Sequence, residues 1–312
     1  MVFVITLIAA MLLGVGFVLQ QHAAEQAPKS SFLRLRLLAD LLPKRRWLAG
    51  VAVMVVGNLL SAWAVGHSEL SLAEPLLTSS LLFALVLAVP LSGEPLRKVE
   101  IFGAVILSAG VACLSVAVST TSPGVSFGSF AYWPAAAAVA VAAFAFVRAG
   151  RRRTGTQRAM LTATGSGLLF GIADALTRRA VQIMDTHSFA ALLTSWPAYS
   201  LAAASLIGLW LMESAFNAGP LHASLPAITA AEPVAGIFLG VVVFGDVIHI
   251  SPLMLALQAA GLVALFAGVV IVARAPVLSS LRPRHQIGVH MPTIRPAHRA
   301  GRRHAAPARR SS

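Results

Sequence analysis

Apolar residues gather along this chain in nine long runs, near residues 2–20, 47–66, 71–92, 99–119, 130–148, 160–181, 190–212, 222–244 and 253–273. A helix rises about 1.5 Å per residue, so crossing roughly 30 Å of hydrocarbon takes about 20 apolar residues. Each run meets that length, and the pattern predicts nine transmembrane helices, spans 1 to 9. The apolar stretch from Ser31 to Leu42 is shorter and carries Arg34, Arg36 and Asp40; it predicts an amphipathic helix lying in the membrane interface. No positive residue precedes the first run, and the first one after it is Lys29. Span 1 is therefore expected to be a retained helix rather than a cleaved leader.

Composition agrees with the pattern. With 57% hydrophobic and 11% charged residues and a mean hydropathy of +0.81, the chain is too apolar for a soluble globular domain. The expectation is an all-α polytopic membrane protein. Its single cysteine, Cys113, excludes an intrachain disulfide. Arginine far outnumbers lysine, and with abundant alanine this suggests a GC-rich bacterial genome, hence a bacterial inner membrane as the location.

Charge adds sidedness. The loop after span 1, the loop after span 3, the segment after span 5 and the carboxyl-terminal tail hold 22 of the 24 Lys and Arg residues. Only Arg178 and Arg179 fall on the other side. Basic residues flank membrane spans on the cytoplasmic side, so the amino terminus is expected outside and the carboxyl terminus in the cytoplasm. The net charge of +13 is accounted for by this arrangement, and nucleic acid is not an expected partner. From Arg282 onward the tail contains no acid and much Pro, Ala and His. It is expected to be disordered and solvated, with anionic lipid as its alternative surface.

The chain also repeats itself. Span 2 ends in Ser61, Trp63 and Gly66, and span 7 in Ser214, Phe216, Asn217 and Gly219. A proline follows early in the next span (Pro75, Pro226), then an acid after a glycine just past its end (Glu94, Asp246). The next span in each copy carries glycines seven apart, Gly103 and Gly110 against Gly261 and Gly268. More weakly, Gly14 and Gly16 of span 1 match the region of Gly171 in span 6. A competing register aligns Ala73-Glu74-Pro75 with Ala231-Glu232-Pro233 and moves the two acids apart. In the first register spans 1–4 match spans 6–9, an offset of five helices that inverts one copy relative to the other. The expected organisation is a first repeat over 1–119, a linking span and basic loop over 120–158, a second repeat over 159–274 and a tail over 275–312. Inverted repeats are a recurring plan of secondary transporters, with the site near mid-membrane between them.

On Pro75, Glu94, Gly103 and Gly110, repeated as Pro226, Asp246, Gly261 and Gly268, the chain resembles the drug/metabolite transporter (EamA-like) superfamily. Its spacing is similar to the NIPA-type magnesium transporters within it. The resemblance covers about 200 residues and implies a bundle of inverted halves that moves a small solute by alternating access. Pro95 follows Glu94 where the superfamily commonly has a basic residue, and Asp246 stands where Glu is usual. Magnesium specificity is therefore not carried over directly.

Among residues able to carry chemistry, Glu232 stands out. It lies near mid-membrane between Pro226 and Pro233, where an ionised side chain costs at least about 2.5–3.5 kcal/mol unless it is paired, protonated or facing water. Prolines withdraw backbone donors, so Pro75, Pro226 and Pro233 are candidate helix breaks beside an ion or proton site. Asp174 lies four residues before Arg178, a spacing that serves an ion pair on one helix face or a cation site. Glu74 is placed at the outer mouth. Glu213 is placed at the inner end of span 7, where solvated carboxylates are common. Asn58, Trp63 and Asn217 supply polar and aromatic lining. Gly124-Val-Ser-Phe-Gly128 matches a hydrolase pattern but lacks its strand-turn-helix context. No zinc, thiol-redox or phosphate-loop motif occurs, and neither enzyme activity nor a cofactor is expected. The expected partners are a small-molecule or ion substrate, membrane lipid and, as an option, a second copy of the chain in a homodimer. Alternatives to a transporter with proton or cation coupling are NIPA-like divalent-cation movement and a non-transporting scaffold or lipid-export accessory protein.

Overall fold

The structure, a computed structural model, describes residues 2–66, 77, 79–92, 98–119, 129–244, 247–248 and 251–273. Within them the chain forms helices α1 (Val2–Glu25), α2 (Arg36–Leu41), α3 (Arg45–Gly66), α4 (Ser80–Ser92), α5 (Lys98–Ala117), α6 (Ser129–Arg151), α7 (Gly155–Thr186), α8 (Phe189–Leu193), α9 (Trp196–Ala218), α10 (Leu221–Phe244) and α11 (Pro252–Ala273). Seven of them, α1, α3, α6, α7, α9, α10 and α11, are long and apolar enough to cross a membrane. The chain is thus an all-helical polytopic membrane protein. Outside the helices, Val118–Ser119 pairs antiparallel with Val247–Ile248, tying the end of α5 to the connection between α10 and α11.

The long helices pack mainly in neighbouring pairs and triples. In the first half α1 packs on α3 and α4, and in the second α7 packs on α9 and α10, with α6 against its side. The last helices of each half, α5 and α11, pack on each other. Bare backbone makes these contacts. A Cβ on Gly14 would lie 2.6 Å from Ser80 O of α4, and one on Gly16 3.1 Å from Gly50 O of α3. In the second half a Cβ on Gly171 would meet Ala235 and the Glu232 carbonyl of α10, while Gly208 of α9 lies against the Phe170 ring. Gly110 and Gly261 face one another between α5 and α11, and a Cβ on Gly268 would lie 2.6 Å from Leu107 N. Small residues let membrane helices approach closely, because lipid supplies no hydrophobic drive for association. At Gly236, by contrast, a Cβ would meet nothing within 4 Å.

Several boundaries differ from those the pattern predicts. Span 7 was expected over 190–212, yet the helix runs from Trp196 to Ala218, preceded by the separate five-residue α8. Pro197, in its first turn, explains the shift, since a proline there loses no intrahelical bond. Segment 31–42 is not one interfacial helix. A 3-10 turn at Lys29–Ser31 and the six-residue α2 are separated by Leu33, whose φ of 53° is uncommon outside glycine. Leu37 and Leu41 of α2 are fully buried in the main core, so its apolar face meets protein rather than lipid. Between α6 and α7 the chain turns at Gly155, whose φ of 54° is one that glycine adopts without steric cost.

Two of the predicted basic segments lie at one end of the bundle. The Arg158 guanidinium sits 4.9 Å over the Phe32 ring, and Trp210 Nε1 donates to Arg34 O at 3.3 Å. Arg178, within α7, lies over the ring of Phe244 at the end of α10, 4.5 Å from its centroid. The aromatic residues Tyr132, Trp133 and Trp196 cluster near the starts of α6 and α9, with centroids 4.8–5.8 Å apart, as membrane-interface anchors do.

Candidate functional site

Glu232 is the twelfth residue of α10, about 16 Å along the axis from its start. It is half-buried. The backbone around it is in direct contact with α7: a Cβ on Gly171 would lie 2.6 Å from Glu232 O and 3.0 Å from Gly236 N, and one on Gly167 2.6 Å from Ile228 O. Pro226 and Pro233 do not break the helix. α10 runs unbroken through both, so their effect is local: each removes the N–H that would bond the carbonyl four residues earlier. One turn before Pro233, the Thr229 hydroxyl donates to Leu225 O at 3.0 Å, a back-bond that commonly accompanies a bent helix.

Glu213 and Asn217 occupy a different layer, at the basic end. Glu213 is fully buried rather than solvated, and so are Asn217, Gln20 and Gln21. The correction has a structural cause: α1, α3 and α9 converge there, and Trp47, one helical turn before Gly50, covers the acid. Trp47 Nε1 donates to Glu213 Oε1 at 2.9 Å. Asn217 Nδ2 donates to Ala24 O at 3.0 Å and Ala27 O at 3.1 Å, holding the turn that follows α1. The Lys29 ammonium donates to the Asn217 carbonyl, and Lys44 Nζ to Ala23 O at 2.9 Å. Burial pushes the Lys44 ammonium below its ordinary range, against the opposing pull of Asp40.

These contacts set the register of the layer. Gly50 packs on Gln20, Gln20 Nε2 meets Met54 Sδ at 3.4 Å, and Glu213 lies one helical turn before Asn217. Glu213 Oε2, Gln20 Oε1, Asn217 Oδ1 and both polar atoms of the Gln21 side chain make no hydrogen bond among the described residues. Gln20, Gln21 and Trp47 were not singled out from the sequence. The signal available was two adjacent glutamines inside the first apolar run, and it did not tell a buried polar layer from an ordinary helix end.

The remaining candidates are dispersed. Asp174 is on the exposed side of α7, one turn before Arg178. Asn58 and Trp63 are on an exposed face of α3. Glu74, Pro75, Glu94, Asp246 and the Gly124–Gly128 pattern lie outside the described residues, as does the tail. Among the described residues, no group of three or more His, Cys, Asp or Glu side chains is arranged to hold a metal ion.

No protein-family model and no solved structure matches the chain. An uncharacterized protein of Corynebacterium glutamicum is 30% identical to it over 241 residues, spanning 77% of this chain and 83% of the relative. Over that span the two sequences share nearly one position in three, and the chain belongs to the family of this Corynebacterium protein.

Proposed function

We propose that this protein is a secondary transporter of the drug/metabolite type, moving a small solute across a bacterial cell membrane by alternating access. The observation that carries the reading is the mirrored packing. α1 holds α3 and α4 through Gly16 and Gly14, while α7 holds α9 and α10 through the contacts of Gly208 and Gly171, and α5 meets α11 at Gly110 and Gly261. Two such sets in opposite orientation form inverted repeats, and rocking one against the other exposes a midplane site to each side in turn. With its basic end in the cytoplasm, the amino terminus lies outside. Glu232, halfway along α10 and flanked by two prolines, is the proton- or cation-coupling group.

Reconstitution of the full chain into vesicles tests this, with Mg²⁺, amino acids and amphipathic cations offered in turn. Flux of one of these is expected, and Glu232→Gln is expected to reduce it to the level of empty vesicles. A variant with unchanged flux and unchanged pH dependence removes the coupling role. One observation favours a second reading, a non-transporting scaffold or lipid-export accessory protein. Leu81 and Ala84 of α4 and Leu225 and Ile228 of α10 belong to one continuous apolar core. Absence of any flux from a correctly folded protein selects that reading.

A further inference from the structure

A groove of about 250 Å³ opens on the outside of the bundle between α6 and α9, with Leu169 of α7 as its floor. Along α6 it is lined by Ala140, Phe144, Arg148 and Arg151, and along α9 by Ile207 and Trp210. The α6 residues recur at three- and four-residue intervals, which places them in one stripe down the helix. The upper stripe is apolar and faces outward: Phe144 is 68% exposed and Ile207 47%. The lower end carries two exposed guanidinium groups, and no carboxylate lines the groove. Trp210 is fixed at this lower end by its hydrogen bond to the Arg34 carbonyl.

Its length and its charge point to the same occupant. From Ala140 to Arg151 the stripe runs about 16 Å, close to half of a hydrocarbon core about 30 Å thick. It therefore reaches from the basic end of the bundle to mid-membrane, the depth of one leaflet. A channel of that depth, apolar from Ala140 to Val147 and basic at Arg148 and Arg151, complements an amphiphile with one long chain along the groove and an anionic head. Arginine forks bind phosphate oxygens in pairs, and basic clusters between membrane helices bind anionic headgroups. We propose that this groove seats one anionic phospholipid from the leaflet at the basic end, an acyl chain lying along Ala140, Phe144 and Ile207 and the phosphate between Arg148 and Arg151. The site is independent of Glu232 and of the transport reading.

Trp210 lines the groove and supplies a readout. The full chain is reconstituted in phosphatidylcholine vesicles doped with phosphatidylglycerol or phosphatidylcholine carrying bromine on the acyl chains. Fluorescence lost in the wild type but not in Trp210→Phe isolates quenching of Trp210. Brominated phosphatidylglycerol is expected to quench it at about tenfold lower mole fraction than brominated phosphatidylcholine. Arg148→Gln with Arg151→Gln is expected to abolish that preference. Ala140→Leu fills the apolar end while keeping both arginines, and is expected to weaken quenching by both lipids. Equal quenching by the two lipids in the wild type overturns the proposal, as does a preference that survives loss of both arginines. Quenching by neither lipid, together with a dimeric mass in detergent, puts a second copy of the chain on this face and also overturns it.

Discussion

Gly171→Leu is expected to force α7 and α10 apart and to lower the unfolding temperature of the purified protein. A Cβ at Gly171 would lie 2.5 Å from Ala235 Cβ, 2.6 Å from Glu232 O and 3.0 Å from Gly236 N. Two of these three atoms are backbone and cannot rotate away. Overpacking a well-fitted interior costs about 1–3 kcal/mol, and a leucine at a backbone-to-backbone contact belongs at or above the top of that range. Gly236→Ala is the control, because its Cβ meets nothing within 4 Å and alanine favours helix by up to about 1 kcal/mol. Thermal unfolding followed by tryptophan fluorescence in detergent compares them. If Gly171→Leu unfolds with Gly236→Ala, the close contact between α7 and α10 is not a feature of the folded protein. The same variant bears on the coupling role proposed for Glu232, since the contact it breaks includes the carbonyl of that residue.

The second large effect is expected at Glu213. Truncation to alanine leaves the buried Trp47 N–H without its acceptor and empties the space the side chain fills. An unsatisfied buried donor costs about 1–3 kcal/mol, with the lost packing added to it. Glu213→Gln keeps an oxygen for Trp47 and, being neutral, has no charge to desolvate in this fully buried position, so it is expected to lose much less stability than the alanine variant. Trp47→Phe removes the donor from the other side. A double-mutant cycle over Glu213→Ala and Trp47→Phe is expected to give a coupling of about 1–3 kcal/mol. Additive losses, or equal losses for Glu213→Ala and Glu213→Gln, would mean that the hydrogen bond is not what holds this layer.

Glu213 also marks the limit of reading a membrane sequence. A carboxylate near the end of an apolar run is ordinarily at the headgroups, and nothing local distinguishes it from one covered by another helix. The covering residues come from α1 and α3, Asn217 donates to the carbonyls of Ala24 and Ala27, and the two partners are separated by some 190 positions of chain. Asn58 and Trp63 show the same limit: their composition suits a lining role, while the rotation of α3 that places both on an exposed face is fixed by what the helix packs against. The prolines of α10 are a mixed case: the lost donors at Pro226 and Pro233 follow from the sequence, whereas the continuity of the helix through both depends on its packing against α7.

The sequence by itself determined that this is an all-helical membrane protein and approximately where its long helices run. The reason is physical: hydrocarbon cannot satisfy backbone polar groups, so length and apolarity alone identify a spanning helix. The tertiary structure alone decided that Glu213, Gln20 and Gln21 form a buried layer under Trp47, that α2 turns its leucines into the core, and that Arg148 and Arg151 end a groove one leaflet deep. Each of these depends on which face a helix presents and on a neighbour distant in the chain, and in a helix apolar on every side the hydrophobic pattern carries no record of that choice.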